Sequence, residues 1–273
     1  MTAQDPVDQM KHQLAQATDQ TTQIKILIEL SKYLVKANPN QSYHYARRLE
    51  QLATRPQHKP GLAYAWTIQG ILDTRRGNYE TARIKFLKAL QLFKNLGEVA
   101  SVAQLYTNLG CVYDYQGDYP KALACHYWAL RIQQKHGFGK GLFMTLNNIG
   151  LIHEVQNEPD LAYGFYLQAI RVRDSLHLEA DISSKLCNLG NIHLYKDQLQ
   201  EAIRYYQQAL EEAQQWNNLY NQSMALNNLG SAYERMGQNE QALALFLQAK
   251  SLKETIDDQE GLSYVLMGLA KYT

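Results

Sequence analysis

The fold class expected from the sequence is all-α, an α-solenoid of stacked antiparallel helix pairs, and three observations point to it. The stretch Tyr106-Thr107-Asn108-Leu109-Gly110 returns as Leu146-Asn147-Asn148-Ile149-Gly150, then as Leu186-Cys187-Asn188-Leu189-Gly190 and Leu226-Asn227-Asn228-Leu229-Gly230, each forty residues on. Glycine keeps the same step at 70, 110, 150, 190 and 230, and alanine keeps it at 82, 122, 162, 202 and 242 and again at 89, 129, 169, 209 and 249. Breaker residues fall between the periodic apolar runs at matching places in every unit. A fixed period of this length marks an array in which each unit buries its apolar face only by stacking on its neighbours.

Residues 1–22 are expected to form an N-terminal helix or cap. Asp5 stands ready to accept from the first free N–H groups, Pro6 costs nothing in a first turn, and Val7, Met10, Leu14 and Ala17 follow at helical spacing. Residues 23–62 are a divergent first repeat. Ile24, Ile26, Leu27, Leu30 and Leu34 mark one helix, Asn38-Pro39-Asn40 a turn, and Tyr43, Ala46 and Leu49 a second helix, with Leu30 in the glycine slot and Ser42 in the first alanine slot. Five regular units fill 63–262, starting at 63, 103, 143, 183 and 223. Their internal turns carry Gly77-Asn78, Gly117-Asp118, Asn157-Glu158-Pro159, Asp197-Gln198 and Gly237-Gln238. Gly97, Gly137, His177, Asn217 and Asp257 share the slot between units, where glycine, asparagine and aspartate close a helix with positive φ most readily. Residues 263–273 restart the pattern as a first helix without its second.

Within a unit, Trp66, Tyr106, Leu146, Leu186 and Leu226 lie one turn before the glycine column, and Tyr113, His153, His193 and Tyr233 one turn after it. At about 100° per residue these columns share the face that meets the second helix. The alanine columns let the two backbones approach, and Phe86, His126, Tyr166, Tyr206 and Phe246 fill the space between them. Leucine at a glycine or alanine of these columns is expected to overpack the contact at a cost of about 1–3 kcal/mol.

A glycine flanked by an aromatic or leucine four before it and an aromatic three after it, with alanines twelve and nineteen further on, resembles the tetratricopeptide repeat. The resemblance covers 63–262 well and 23–62 loosely. A step of forty is similar to the long-helix variant found in bacterial peptide-sensing regulators, in sensor halves of signalling proteins and in polarity scaffolds. It implies a right-handed superhelix whose first helices line a concave groove for a peptide or partner segment, and it implies no chemistry. One subset of the family grips a C-terminal carboxylate with lysines and arginines; the matching slots here hold mostly Asn, Thr, Ser, Met and Leu.

On each first helix, the columns beginning at Gln104, Asn108, Cys111 and Tyr115 lie roughly 140–200° from the column beginning at Tyr106 and so face groove or solvent. Asn108, Asn148, Asn188 and Asn228 share one of those slots. A primary amide offers an acceptor and two donors, the set that bonds a peptide's N–H and C=O together. Asn147, Asn191 and Asn227 add polar contacts. Tyr115, Tyr195, Met144, Met224, Leu151 and Val155 make apolar walls, and Arg75 and Arg235 stand near the two ends with Asp114, Glu154 and Glu234 beside the row. The peptide-binding set expected from the sequence is therefore the seven asparagines with Tyr115, Tyr195, Arg75 and Arg235. A structural reading stands beside it: the same asparagines would bond to the neighbouring first helix and set the pitch of the stack.

With 27 basic and 26 acidic residues the formal charge is +1, so no whole-chain field draws in nucleic acid or an anionic membrane, and neither is expected as a partner. Three cysteines, Cys111, Cys125 and Cys187, suit a reducing compartment, and the N-terminus has no basic start followed by an apolar run, so a cytoplasmic protein is expected. His153 and His193 read as packed core histidines, and the cysteines lack the paired short spacing of a zinc site. Glu154 and Asp114 are too isolated for a glycosidase pair. Gly137-Phe138-Gly139-Lys140-Gly141 resembles a phosphate loop in composition only, with neither a strand before it nor Ser or Thr after the lysine. No enzyme, metal or cofactor is expected. The function expected is a protein-interaction module holding an extended peptide through an asparagine ladder. The alternative is the regulatory input of a longer signalling protein, such as a sensor kinase, cyclase or transcription regulator. Self-association through the closing helix, with its Tyr264, Val265, Leu266 and Met267, is a third possibility.

Overall fold

The computed structural model describes residues 5–271; the outermost residues of the expected N-terminal cap (1–4) and of the closing helix (272–273) lie outside the described residues. The described residues form fourteen α-helices and one 3-10 turn, and the chain divides into two compact units between Asn148 and Ile149. No described helix is long and apolar enough to cross a membrane.

The first unit holds α1 (Pro6–Gln16), α2 (Gln20–Ala37), α3 (Pro39–Leu52), the 3-10 turn Pro56–His58, α4 (Lys59–Arg75), α5 (Tyr79–Leu96), α6 (Val99–Tyr115), α7 (Tyr119–His136) and most of α8 (Gly139–Val155). Asp5 caps α1 by accepting from Val7 N at 3.0 Å, Asp19 caps α2 and Asn38 caps α3. Leu27, Leu30 and Leu49 are fully buried between α2 and α3 and join Val7 and Leu14 of α1 in one core. Leu30 thus occupies its glycine slot as an ordinary core residue. Ser42, in the alanine slot, donates to the Ser31 carbonyl at 2.7 Å.

The second unit holds the end of α8, then α9 (Pro159–Ser175), α10 (Ser183–Tyr195), α11 (Leu199–Gln215), α12 (Leu219–Arg235), α13 (Asn239–Thr255) and α14 (Gln259–Leu269). Val265 of α14 is buried, while Tyr264, Leu266 and Met267 are exposed.

In both units the glycine column works by letting an aromatic ring lie on backbone. A Cβ built on Gly70 would come within 2.6 Å of Phe86, one on Gly110 within 2.5 Å of His126, and one on Gly190 within 2.4 Å of Tyr206. Gly150 stands in the same way to Tyr166, and Gly230 to Phe246. Every alanine of the two columns is fully buried, so each pair closes tightly without a large side chain at the crossing.

The turns follow one plan. Gly77, Gly117, Asn157, Asp197 and Gly237 take positive φ within pairs, and Gly97, Gly137, His177, Asn217 and Asp257 take it between pairs. The N–H after the within-pair residue reaches back five residues, as in Asn78 N to Asp73 O and Gln238 N to Tyr233 O, both 2.9 Å, which satisfies a carbonyl left free at the helix end. Because these closures are tight, α4, α6, α8, α12 and α14 open four residues ahead of the repeat frame anchored on glycine. The exception is α10, which opens at Ser183. There Asp181 accepts from Ser183 N at 2.8 Å and from the Ser183 hydroxyl, and it also receives Asn218 and Asn221. A side chain that satisfies the backbone locally competes with helix, and the first turn gives way.

Candidate functional site: the inner face of the first helices

The side of each first helix turned away from its partner carries the asparagine slots, and the structure gives their amides definite bonds. In the first unit, Asn108 Oδ1 accepts from Gln104 Nε2 at 3.0 Å while its buried Nδ2 has no partner. Asn148 Nδ2 donates to Cys111 Sγ on α6 at 3.4 Å. In the second unit, Asn188 Nδ2 donates to the Tyr166 hydroxyl at 3.1 Å, and Tyr166 donates onward to Glu154. Asn228 Nδ2 donates to Asn191 Oδ1 at 3.3 Å, an oxygen that also accepts from the Tyr206 hydroxyl at 2.8 Å.

A regularity emerges that the residue pattern alone does not display. Where the ring on the glycine is tyrosine, its hydroxyl passes through the pair to the inner face and meets a polar residue there, Glu154 or Asn191. Read as space-filling, Tyr166 and Tyr206 also act as polar links. The signal available in the sequence was the appearance of tyrosine at 166 and 206 in a column that holds phenylalanine at 86 and 246. Burial raises the pKa of both phenols, and at Tyr166 the Glu154 carboxylate adds to the rise, so both stay protonated donors.

Arg75 and Arg235 hold equivalent places. Arg75 Nη1 donates to the Val35 carbonyl at 2.6 Å; Arg235 Nη1 donates to the Leu194 carbonyl at 2.7 Å and its Nη2 to Asp197 at 2.8 Å. Each guanidinium caps the C-terminal end of the preceding first helix, where the helix dipole favours a cation. Tyr115 stacks on Tyr79 with ring centroids 5.7 Å apart and stays mostly exposed, as does Tyr195. Asn147 is half-buried, and Met144, Leu151 and Val155 are exposed. Asp114 is partly buried, and burial raises its carboxyl pKa.

His153 bonds Glu158 at 2.6 Å and His193 bonds Gln198 at 2.6 Å, each ring stacked on an aromatic of the second helix, Phe165 and Tyr205. Burial pushes the Cys111 thiol up to about 11 and the Cys187 thiol up to about 12, so both are neutral at physiological pH.

Two cavities open on this face, one in each unit. In the second unit, one of about 370 Å³ is walled by Tyr220, Met224, Asn227, Asn228 and Tyr264. The buried Asn227 Oδ1 has no hydrogen-bond partner. In the first unit, one of about 600 Å³ has Tyr33, Tyr64, Ile68 and Ile71 in its walls and Lys32, Lys36 and Lys140 around it. These lysines were not among the residues singled out from the sequence. Two of them sit one turn apart in the divergent repeat, where the column pattern is weakest.

The tetratricopeptide repeat family model matches residues 62–135 and 181–255, together more than half of the chain. No curated protein sequence matches. Among solved structures, the apo form of the quorum sensor NprR from B. thuringiensis is similar over 97% of this chain and 75% of that one, with 16% identity and a TM-score of 0.76. BtubC (BKLC) from P. vanneervenii matches 81% of this chain and 91% of that one at 22% identity and a TM-score of 0.68. NprR in complex with its cognate peptide NprX matches 97% and 77% at 16% identity and a TM-score of 0.65. At these identities the likeness is one of fold. The helix pairs, with an aromatic ring seated on each column glycine, and the family match over both units lead to one conclusion: the chain belongs to the tetratricopeptide repeat family.

Proposed function

We propose that this chain is a protein-interaction module that holds an extended peptide along the inner faces of its first helices, with Asn108, Asn148, Asn188 and Asn228 bonding the ligand backbone and Asn147, Asn191 and Asn227 adding contacts. The observation that carries the reading is the cavity of the second unit, where Asn227 and Asn228 stand with Tyr220, Met224 and Tyr264 in its walls. Amides beside aromatic and thioether surface offer hydrogen bonds and apolar contact to one peptide segment. Asn148, Asn188 and Asn228 each donate once within the fold and keep an amide oxygen for a ligand. The peptide-bound NprR structure lends support from a protein of the same fold.

The bonds from Asn148 to Cys111 and from Asn228 to Asn191 join consecutive first helices, and they favour a second role for the same residues in setting the pitch of the stack. The two roles separate in one experiment: Asn148→Ala/Asn188→Ala, with affinity for a display-selected peptide and thermal melting measured in parallel. At about 1 kcal/mol for each ligand bond, affinity should fall at least about tenfold with little change in melting. A collapse of melting with intact residual affinity would leave only the structural role. The alternative of a regulatory input to a longer signalling protein draws on the quorum-sensor neighbour. It expects ligand to change the small-angle scattering profile, which a passive module would leave unaltered.

A further inference from the structure

The cavity of the first unit differs from that of the second in charge. Around the latter, Lys253 is ion-paired with Asp258 at 2.6 Å, and Glu260 stands nearby. The residues lining the former include three lysines and no Asp or Glu. Lys32 is held 4.5 Å over the Tyr64 ring and shares its charge with Glu29 at 3.2 Å, but Lys36 and Lys140 make no ion pair among the described residues. Lys140 lies in the first turn of α8, which carries no acidic residue to offset it. A cation at a helix N-terminus adds to the positive end of the dipole. In a chain of net charge +1 this excess is local. The walls below it are apolar, and about 600 Å³ exceeds the space one side chain fills.

We infer that this cavity anchors an acidic peptide segment, with one bulky apolar side chain between Tyr33, Tyr64 and Ile71 and neighbouring carboxylates met by Lys36 and Lys140. The inference rests on the proposed peptide-binding function and names the ligand class and the end of the groove that selects it. Apolar burial supplies the hold, and the paired charges supply the choice among peptides.

The experiment is a display selection of random dodecapeptides against the full chain, then fluorescence anisotropy with the selected peptide. Wild type is compared with Lys36→Glu/Lys140→Glu and with Asn148→Ala/Asn188→Ala. Both lysines are exposed, so charge reversal leaves the helices intact, which circular dichroism checks. Expected are peptides rich in Asp or Glu around one large apolar residue, at least tenfold weaker binding to the lysine variant, and affinity that falls as salt rises from about 50 to about 300 mM. Neutral or basic selected peptides, or affinity unchanged by the lysine reversal, would overturn the inference. If such peptides still respond to the asparagine variant, the general peptide-binding function survives without this anchor. If selection yields no binder, both fall.

Discussion

His126 occupies the slot that Phe86 and Phe246 fill in other pairs, fully buried against Gly110, and neither ring nitrogen has a hydrogen-bond partner. Two consequences follow. Replacement by phenylalanine, a ring this packing already accepts on Gly70 and Gly230, removes unsatisfied buried polar atoms that cost about 1–3 kcal/mol, so His126→Phe should stabilise the chain at neutral pH. The second consequence is pH dependence. Burial pushes the imidazole down from 6.5 to about 4. Between those values the unfolded chain takes up a proton that the folded one refuses. The stability tied to this group is therefore fully present above pH 6.5 and is lost as pH falls toward 4. The full span is worth about 3 kcal/mol, of which about 2 kcal/mol is gone at pH 5. Thermal melting of wild type and variant at pH 7.5 and pH 5 reads this directly. The other histidines are common to both proteins, so the gap between them should widen by about 4–8 °C on acidification. A gap that stays constant with pH, or a variant less stable at both values, would refute the argument.

Tyr166→Phe deletes the hydroxyl between Asn188 and Glu154, leaving two inner-face groups without that partner. A loss of about 1–2 kcal/mol in urea unfolding is expected, and no loss would show that the link carries no energy. His177 holds φ +47°, a conformation that L side chains resist, so His177→Gly should raise the melting point by the equivalent of about 0.5–1 kcal/mol. A lower melting point would mean that the side chain contributes more than the strain costs.

Much of the architecture is legible in residue order because its causes are short-range. The glycine column requires a ring opposite it, the alanine columns require close helices, and a positive-φ residue follows each helix from α4 to α13; all three recur at one spacing. The angular position of each asparagine slot around its helix follows from residue number in the same way. Three features were not legible. The tyrosine hydroxyls link to Glu154 and Asn191 only because the pair is thin enough at its glycine for a phenol to reach across. The first turn of α10 is lost because Asp181 is engaged by Asn218 and Asn221, residues nearly a whole unit further along the chain. The lysine-rimmed cavity draws Lys32 and Lys36 from α2 and Lys140 from α8, which no local pattern brings together.

Sequence by itself determined the stacked helix pairs and the residue columns that share a side of each helix, since these depend on repeating contacts between near neighbours. Tertiary structure alone decided which inward amides are already bonded, where a polar atom is left without a partner and where charge collects. Those outcomes depend on the distances between atoms that stacking brings together, and a forty-residue period does not contain those distances.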